Sequence, residues 1–367
     1  MTIFKHLIKH KLHIAILTIP ITLLMVGCSG AMPASSWPNS IMADNNLIIA
    51  NNNAVYAISS DFGKLVWKFP DKPDSTRSQF YTSPAYTNNS IVIGSDNKHA
   101  FTIDITNGNE VWNFDATNNK SGTAPTGISV ESELAFFTSE NTLYALRISN
   151  GQTAWKFESA KELWAPPSSN GQYVFLPGMD HTLTSIDISN GSQIWQQHLT
   201  GALADSPTIY QETLYTGSLS NSVYAIDASN GMIIWEFEAK GWVWGSPMVI
   251  DDYVFFGDLD GYVYALNRAN GREVWTSQQL DSASRGTPAY SDGNLFVTSD
   301  NGFVYSIDAI SGNTVWNIEI DSKNADRLLA DPIAHNGLLY ITSMNGENIV
   351  HAINQSDGVI VWKFNPE

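Results

Sequence analysis

The sequence predicts an all-β fold, an eight-bladed β-propeller with four antiparallel strands per blade, on three observations. Trp67, Trp112, Trp155, Trp195, Trp235, Trp275, Trp316 and Trp362 recur 40 to 46 residues apart. Each is preceded by a glycine at four residues, a small residue at ten and a proline at 28 to 30. Within each period the chain carries short runs of Tyr, Ile, Val and Thr broken by turn residues, without helical spacing. A period of this length marks a propeller or a solenoid. Neither end carries the polar capping unit a linear stack requires, so the ring is preferred.

The chain begins with a different kind of segment. Lys5, Lys9 and Lys11 precede the apolar run 14–26, which is too short to span a bilayer comfortably and suits a signal-peptide core. Gly27-Cys28-Ser29 follows. "MVGC" resembles a bacterial lipobox, although Met25 and Val26 replace its usual Leu-Ala/Ser. The resemblance implies lipidation of Cys28, the only cysteine, as the first mature residue. The expected organisation is a removed leader over 1–27, a lipidated tether over 28–37 and a propeller over 38–367. Ser29 is compatible with sorting to the periplasmic side of an outer membrane, if the organism has one. Otherwise the anchor would hold the protein on the outer face of the cytoplasmic membrane.

Charge narrows the partners. The net charge is −17, with 36 acidic against 19 basic residues, and loss of the leader lysines makes it more negative. A field of that sign repels phosphates, which excludes nucleic acid and charge-driven binding to anionic lipid. Charged residues are only 15% of the chain, which fits strands buried on both faces.

The fifth unit shows why the elements form. "PTIYQ", "TLYTGS", "SVYAID" and "MIIWEF" are four strands in about 40 residues, which leaves room only for hairpins. The Asn-Gly pairs at 150–151, 190–191, 230–231 and 270–271 join the third strand to the fourth, where a positive φ favours glycine. Asp104, Asp187, Asp227 and Asp308 stand four residues before that glycine, placed to accept turn amides. Asn267 and Asn354 can do the same, Ser59 only weakly, and Arg147 not at all. The tryptophan carries the largest apolar area of each unit. The small residue ten positions earlier is expected to be the socket for the indole of the neighbouring blade.

Ala225-Ile226-Asp227 through Gly231 to Trp235 is similar to the tryptophan-docking motif of PQQ-type β-propellers, and the likeness covers 38–367. That group includes the PQQ-dependent alcohol and glucose dehydrogenases and the non-catalytic BamB lipoproteins of outer-membrane β-barrel assembly. BamB-like chains close their ring by strand exchange. Here all eight units are complete and in phase, so closure is expected from packing between the first and last units.

The resemblance leaves three functional classes. A quinoprotein oxidoreductase would need the adjacent cysteines and covering insertions that many such enzymes carry, and this chain has neither. Neither PQQ nor Ca²⁺ is therefore expected, and no catalytic residue is assigned. Asp258-x-Asp260-Gly261 reads as a hairpin turn, since it lacks the later Glu of a calcium loop. His99, His181, His198, His335 and His351 are scattered without metal-ligand spacing.

A docking scaffold or a glycan-binding module would instead use the column three residues before each proline. That column holds Tyr81, Gly122, Trp164, Ala204, Trp244, Arg285 and Leu329. It varies where structural columns are uniform, and it is expected at the mouth of the central channel. Aromatic residues and Arg are the types that dominate binding hot spots. The same rings would also serve to plug the channel by packing on their neighbours. The family resemblance implies that loops of this face, an Arg shortly before the proline among them, meet the barrel-assembly protein. "SASRGTP" (282–288) and "DRLLADP" (326–332) are the corresponding stretches. The candidate partner rim is therefore Tyr81, Trp164, Trp242, Trp244, Arg285, Arg327, Leu328 and Leu329. The expected function is that of a non-catalytic, monomeric, lipid-anchored scaffold for another protein.

Overall fold

The computed structural model describes residues 39–71, 79–80, 82–87, 89–117, 126–320, 327–344 and 347–366. The leader, the tether, Cys28 and Tyr81 lie outside them. Each period forms one four-stranded antiparallel sheet in simple chain order, giving eight blades. They span 40–69, 85–115, 126–158, 168–198, 208–238, 248–276, 289–319 and 333–364. In blade 5 the strands are Thr208–Tyr210, Thr213–Gly217, Ser222–Asp227 and Ile233–Glu238. First strands of neighbouring blades approach one another around the centre, which makes the fourth strands the outer edge. No helix among the described residues is long and apolar enough to cross a membrane.

Burial follows this radial order. Second and third strands are buried along their middles, as in Leu47–Ala50 and Val263–Leu266. Fourth strands alternate, leaving Val66, Val111, Ala154, Ile194, Ile234, Val274, Val315 and Val361 exposed one residue before each docking tryptophan. The apolar clusters each draw on two adjacent blades, so a blade is stable only against its neighbours.

The tryptophans bridge the blades as expected, but onto a different socket. Every indole lies on the glycine of the following blade. A Cβ at Gly231 would lie 2.6 Å from Cε3 of Trp195, and one at Gly271 2.7 Å from Cε3 of Trp235. All eight of these glycines have φ between 63° and 77°. The glycine therefore satisfies both the turn and the ring that covers it. Each indole also donates its Nε1–H to the carbonyl three residues before that glycine, at 2.6 to 3.1 Å.

The small residue ten positions before each tryptophan is not that socket. It pairs across the sheet with its own tryptophan on one side and a second-strand residue on the other, as in Phe136↔Ala145↔Trp155. In six blades the second-strand residue is aromatic, and its ring lies 5.8 to 6.0 Å from the indole. Only a small side chain between them lets two such rings meet over the third strand.

Blades 1 and 8 are both complete sheets among the described residues, and they share one apolar cluster containing Leu47, Tyr56, Tyr340 and Phe364. Side-chain hydrogen bonds join them as well. Trp362 Nε1 and the Tyr340 hydroxyl both donate to the Ser60 carbonyl, at 3.1 and 3.2 Å.

Candidate partner-binding rim

Strands run alternately up and down, so the loops between blades and the turns joining second to third strands share one face. Backbone hydrogen bonds tie the two sets together there: Leu259 N to Trp242 O, Asp300 N to Ala283 O and Met344 N to Arg327 O. This geometry puts the loops ahead of the prolines on one rim.

The structure separates the rim candidates. Trp164 and Trp242 are 45% and 52% exposed, and Trp244 is half-buried. Arg285 lies 5.3 Å from the centroid of the Trp244 ring, within cation–π range. Its Nε donates to both carboxylate oxygens of Asp300, at 3.0 and 2.8 Å, and Nη2 of Arg327 adds a third bond to Asp300 at 3.1 Å. Trp244, Arg285, Asp300 and Arg327 thus form one connected patch over blades 6 to 8. Asp300 is only 13% exposed and fixes both guanidinium groups.

Leu328 and Leu329 do not belong to this rim. They are 0% and 5% exposed, and Leu328 packs in the core shared by blades 7 and 8 with Phe296, Val304 and Leu339. In "DRLLADP" the chain turns inward immediately after Arg327, because blade 8 needs apolar cover where it meets blade 7.

Asp300 escaped the sequence reading because it lies in a turn and not in the column before the proline. The alternation of strand direction was the available signal, since it places that turn beside the Arg285 loop. A second feature of this face was also missed. Asp205 accepts from the amides of Ser206 (2.7 Å) and Ser246 (3.1 Å), and Asp331 accepts from the amide of Thr287 (2.7 Å). Ser206 Oγ donates to Pro166 O, and Ser246 Oγ donates to Ser206 O. These bonds link consecutive loops around the channel mouth. Crowding by the channel walls raises the Asp205 carboxyl above its ordinary value. Asp331 is raised to about 7, first by the same loss of solvent and then by the Asp205 charge. Solvent still reaches Asp331 and screens part of this effect.

The turn at Asp258 is structural. Its carboxylate is fully buried and accepts from Gly241 N (2.9 Å), Tyr262 N (2.8 Å) and the Tyr264 hydroxyl (2.7 Å). Its oxygens are committed to protein donors, so they do not fit a calcium ion. Among the described residues no three His, Cys, Asp or Glu side chains converge as metal ligands.

Eight complete blades, each docking its tryptophan on the next blade's glycine, define a PQQ-type propeller. Residues 30–162, 139–216, 179–284 and 259–367 match the family described as outer membrane protein assembly factor BamB. The chain belongs to that family. Among solved structures, BamB from Moraxella catarrhalis superposes with a TM-score of 0.69 at 20% identity, over 86% of this chain and 94% of that one. The computationally designed Ika8 protein gives 0.75 at 13% identity, over 88% and 96%. Likeness at these identities shows the fold. A curated relative, tetrathionate hydrolase of Acidithiobacillus ferrooxidans, is 31% identical over 106 residues. That alignment takes in 28% of this chain and spans 20% of the hydrolase.

Proposed function

We propose that the protein is a non-catalytic docking scaffold that holds another protein, a component of outer-membrane β-barrel assembly, against its Trp244–Arg285–Arg327 rim. Membership of the BamB family supports the system. The observation that carries the surface is the patch itself. Two guanidinium groups are fixed by one nearly buried carboxylate, and the half-buried Trp244 ring lies against Arg285. Pre-ordered Arg and Trp lose little side-chain entropy on binding, which is what hot spots require. Rims of this kind bind by burial and charge pairing, without bond making. The lipid expected on Cys28 would hold the rim near the membrane in which barrels are assembled.

The test is capture from detergent-solubilised membranes with the tagged full chain. The expected result is co-recovery of a barrel-assembly protein, reduced by Trp244→Ala and by Arg327→Glu. Undiminished recovery with both variants would remove the rim. Dye-linked alcohol oxidation by the purified protein supplied with PQQ and Ca²⁺ would replace the scaffold reading with an oxidoreductase.

A further inference from the structure

The face opposite the rim carries the turns that join third to fourth strands; six of them have Asp or Asn at the capping position, while blade 1 has Ser59 and blade 3 has Arg147. In blades 4 and 5 an aspartate caps this turn. Asp187 Oδ1 accepts from the amide and hydroxyl of Ser189, at 2.8 and 2.5 Å. Asp227 accepts from Ser229 in the same way, at 2.8 and 2.6 Å. Asp104 does so with Thr106, and Asp308 with Ser311. Asn267 and Asn354 accept the corresponding amides of Ala269 and Ser356. The turn stabilises negative charge, since hydrogen bonds from these hydroxyls and amides lower the carboxyls of Asp104, Asp187, Asp227 and Asp308.

Blade 3 keeps the donors and lacks the acceptor. Ser149 occupies the place of Ser189 and Ser229, while Arg147 stands where the carboxylate would be. The Ser149 amide and hydroxyl have no acceptor among the described residues, and the Arg147 guanidinium has no ion-pair partner among them. The turn opens onto a groove of about 270 Å³ between blades 2 and 3, lined by Thr87, Ser132, Glu133, Arg147, Ile148 and Ser149. Arg147 and Ser149 are both exposed, and an amide, a hydroxyl and a guanidinium at one concave site make a receptor for an oxyanion.

We propose that this groove binds a monocarboxylate, which sits on Ser149 as the Asp187 and Asp227 side chains sit on their own turns and pairs with Arg147. The neighbouring blades give the binding geometry directly, because they show a carboxylate on the same donors. Glu133 on the groove wall disfavours ions of higher charge, phosphate included. The site lies on the face away from the rim, so it stands whether or not the docking reading does.

The test uses the full chain labelled with ¹⁵N-serine, with propionate as the probe and the Ser149 amide resonance as the readout. Propionate is expected to shift that resonance saturably in the millimolar range. Arg147→Asp supplies the missing internal cap, as in blades 4 and 5, and is expected to abolish the shift while the other serine resonances stay in place. Arg147→Ala is expected to weaken binding by at least about tenfold, through loss of the charge-assisted contact. A tripeptide with a free C-terminus, compared with its amidated form, distinguishes a chain end from a small molecule as the source of the carboxylate. Inorganic phosphate binding more tightly than propionate would overturn the proposal. So would an equal propionate shift in Arg147→Asp, or no saturable shift at all.

Discussion

The indole of Trp362 donates to the carbonyl of Ser60, 302 positions earlier in the chain, at 3.1 Å. It is the same bond that the other seven docking tryptophans make to the next blade, so the seam between last and first blades is built like the seven other junctions. What sets the seam apart is that no peptide connection crosses it. Among the described residues, side-chain packing and two hydrogen bonds to Ser60 hold it.

Trp362→Ala therefore tests closure. Trp362 is less buried than Trp235, so its loss is expected to cost about 3 kcal/mol, the lower end of the range for a core tryptophan. Trp235→Ala is expected to cost as much or more while leaving the seam shut. Hydrogen exchange checks this: Trp362→Ala should raise exchange in blades 1 and 8 together, and Trp235→Ala in blades 5 and 6.

Gly231→Ala meets two obstacles at once. The residue has φ of 75°, and the added Cβ would lie 2.6 Å from the Trp195 ring. Backbone strain and overpacking together predict a loss of about 2–5 kcal/mol, read from urea denaturation. Gly293→Ala serves as the control. Its φ is 81° and nothing stands within 4 Å of its Cβ, so it should cost the strain alone.

Asp331 predicts a pH dependence. Its carboxyl is raised above the unfolded value, toward about 7 less the screening by the solvent that reaches it, so the folded state holds the proton more tightly. Its contribution to stability is present below the unfolded value, falls as pH rises and is lost above the folded value. Asp331→Asn should flatten the melting temperature between pH 4 and 8, as its amide oxygen can still accept from Thr287. A wild-type profile that rises steadily across this interval and is unaltered by the substitution would contradict this.

Asp258→Ala should be severe. It strands the buried Gly241 amide, the partly buried Tyr262 amide and the Tyr264 hydroxyl, with an expected loss of about 3 kcal/mol. If these donors alone hold the turn, EDTA should leave the wild-type melting temperature unchanged. A drop with EDTA would mean that a metal ion does bind the protein.

Much of this architecture could be read directly from the chain. The eight tryptophans, their glycines and the capping aspartates recur because each blade must offer its neighbour the same surface, and recurrence is visible in one dimension. The blade count, the strand order and the positive-φ turns followed from it. The socket did not, because Ala225 and Gly231 are both small and only the packing shows which of them a foreign indole covers. The rim was half legible: Trp164, Trp242 and Arg327 are exposed as expected, whereas Leu328 and Leu329 are core. A loop carries no periodicity to say which side chain turns inward, and that choice belongs to the gap between blades 7 and 8. Asp300 beneath two arginines, and the groove that brings Thr87 of blade 2 against Arg147 and Ser149 of blade 3, both join segments distant in sequence. Such sites are decided by the three-dimensional approach of turns on a common face, for which local sequence has no code.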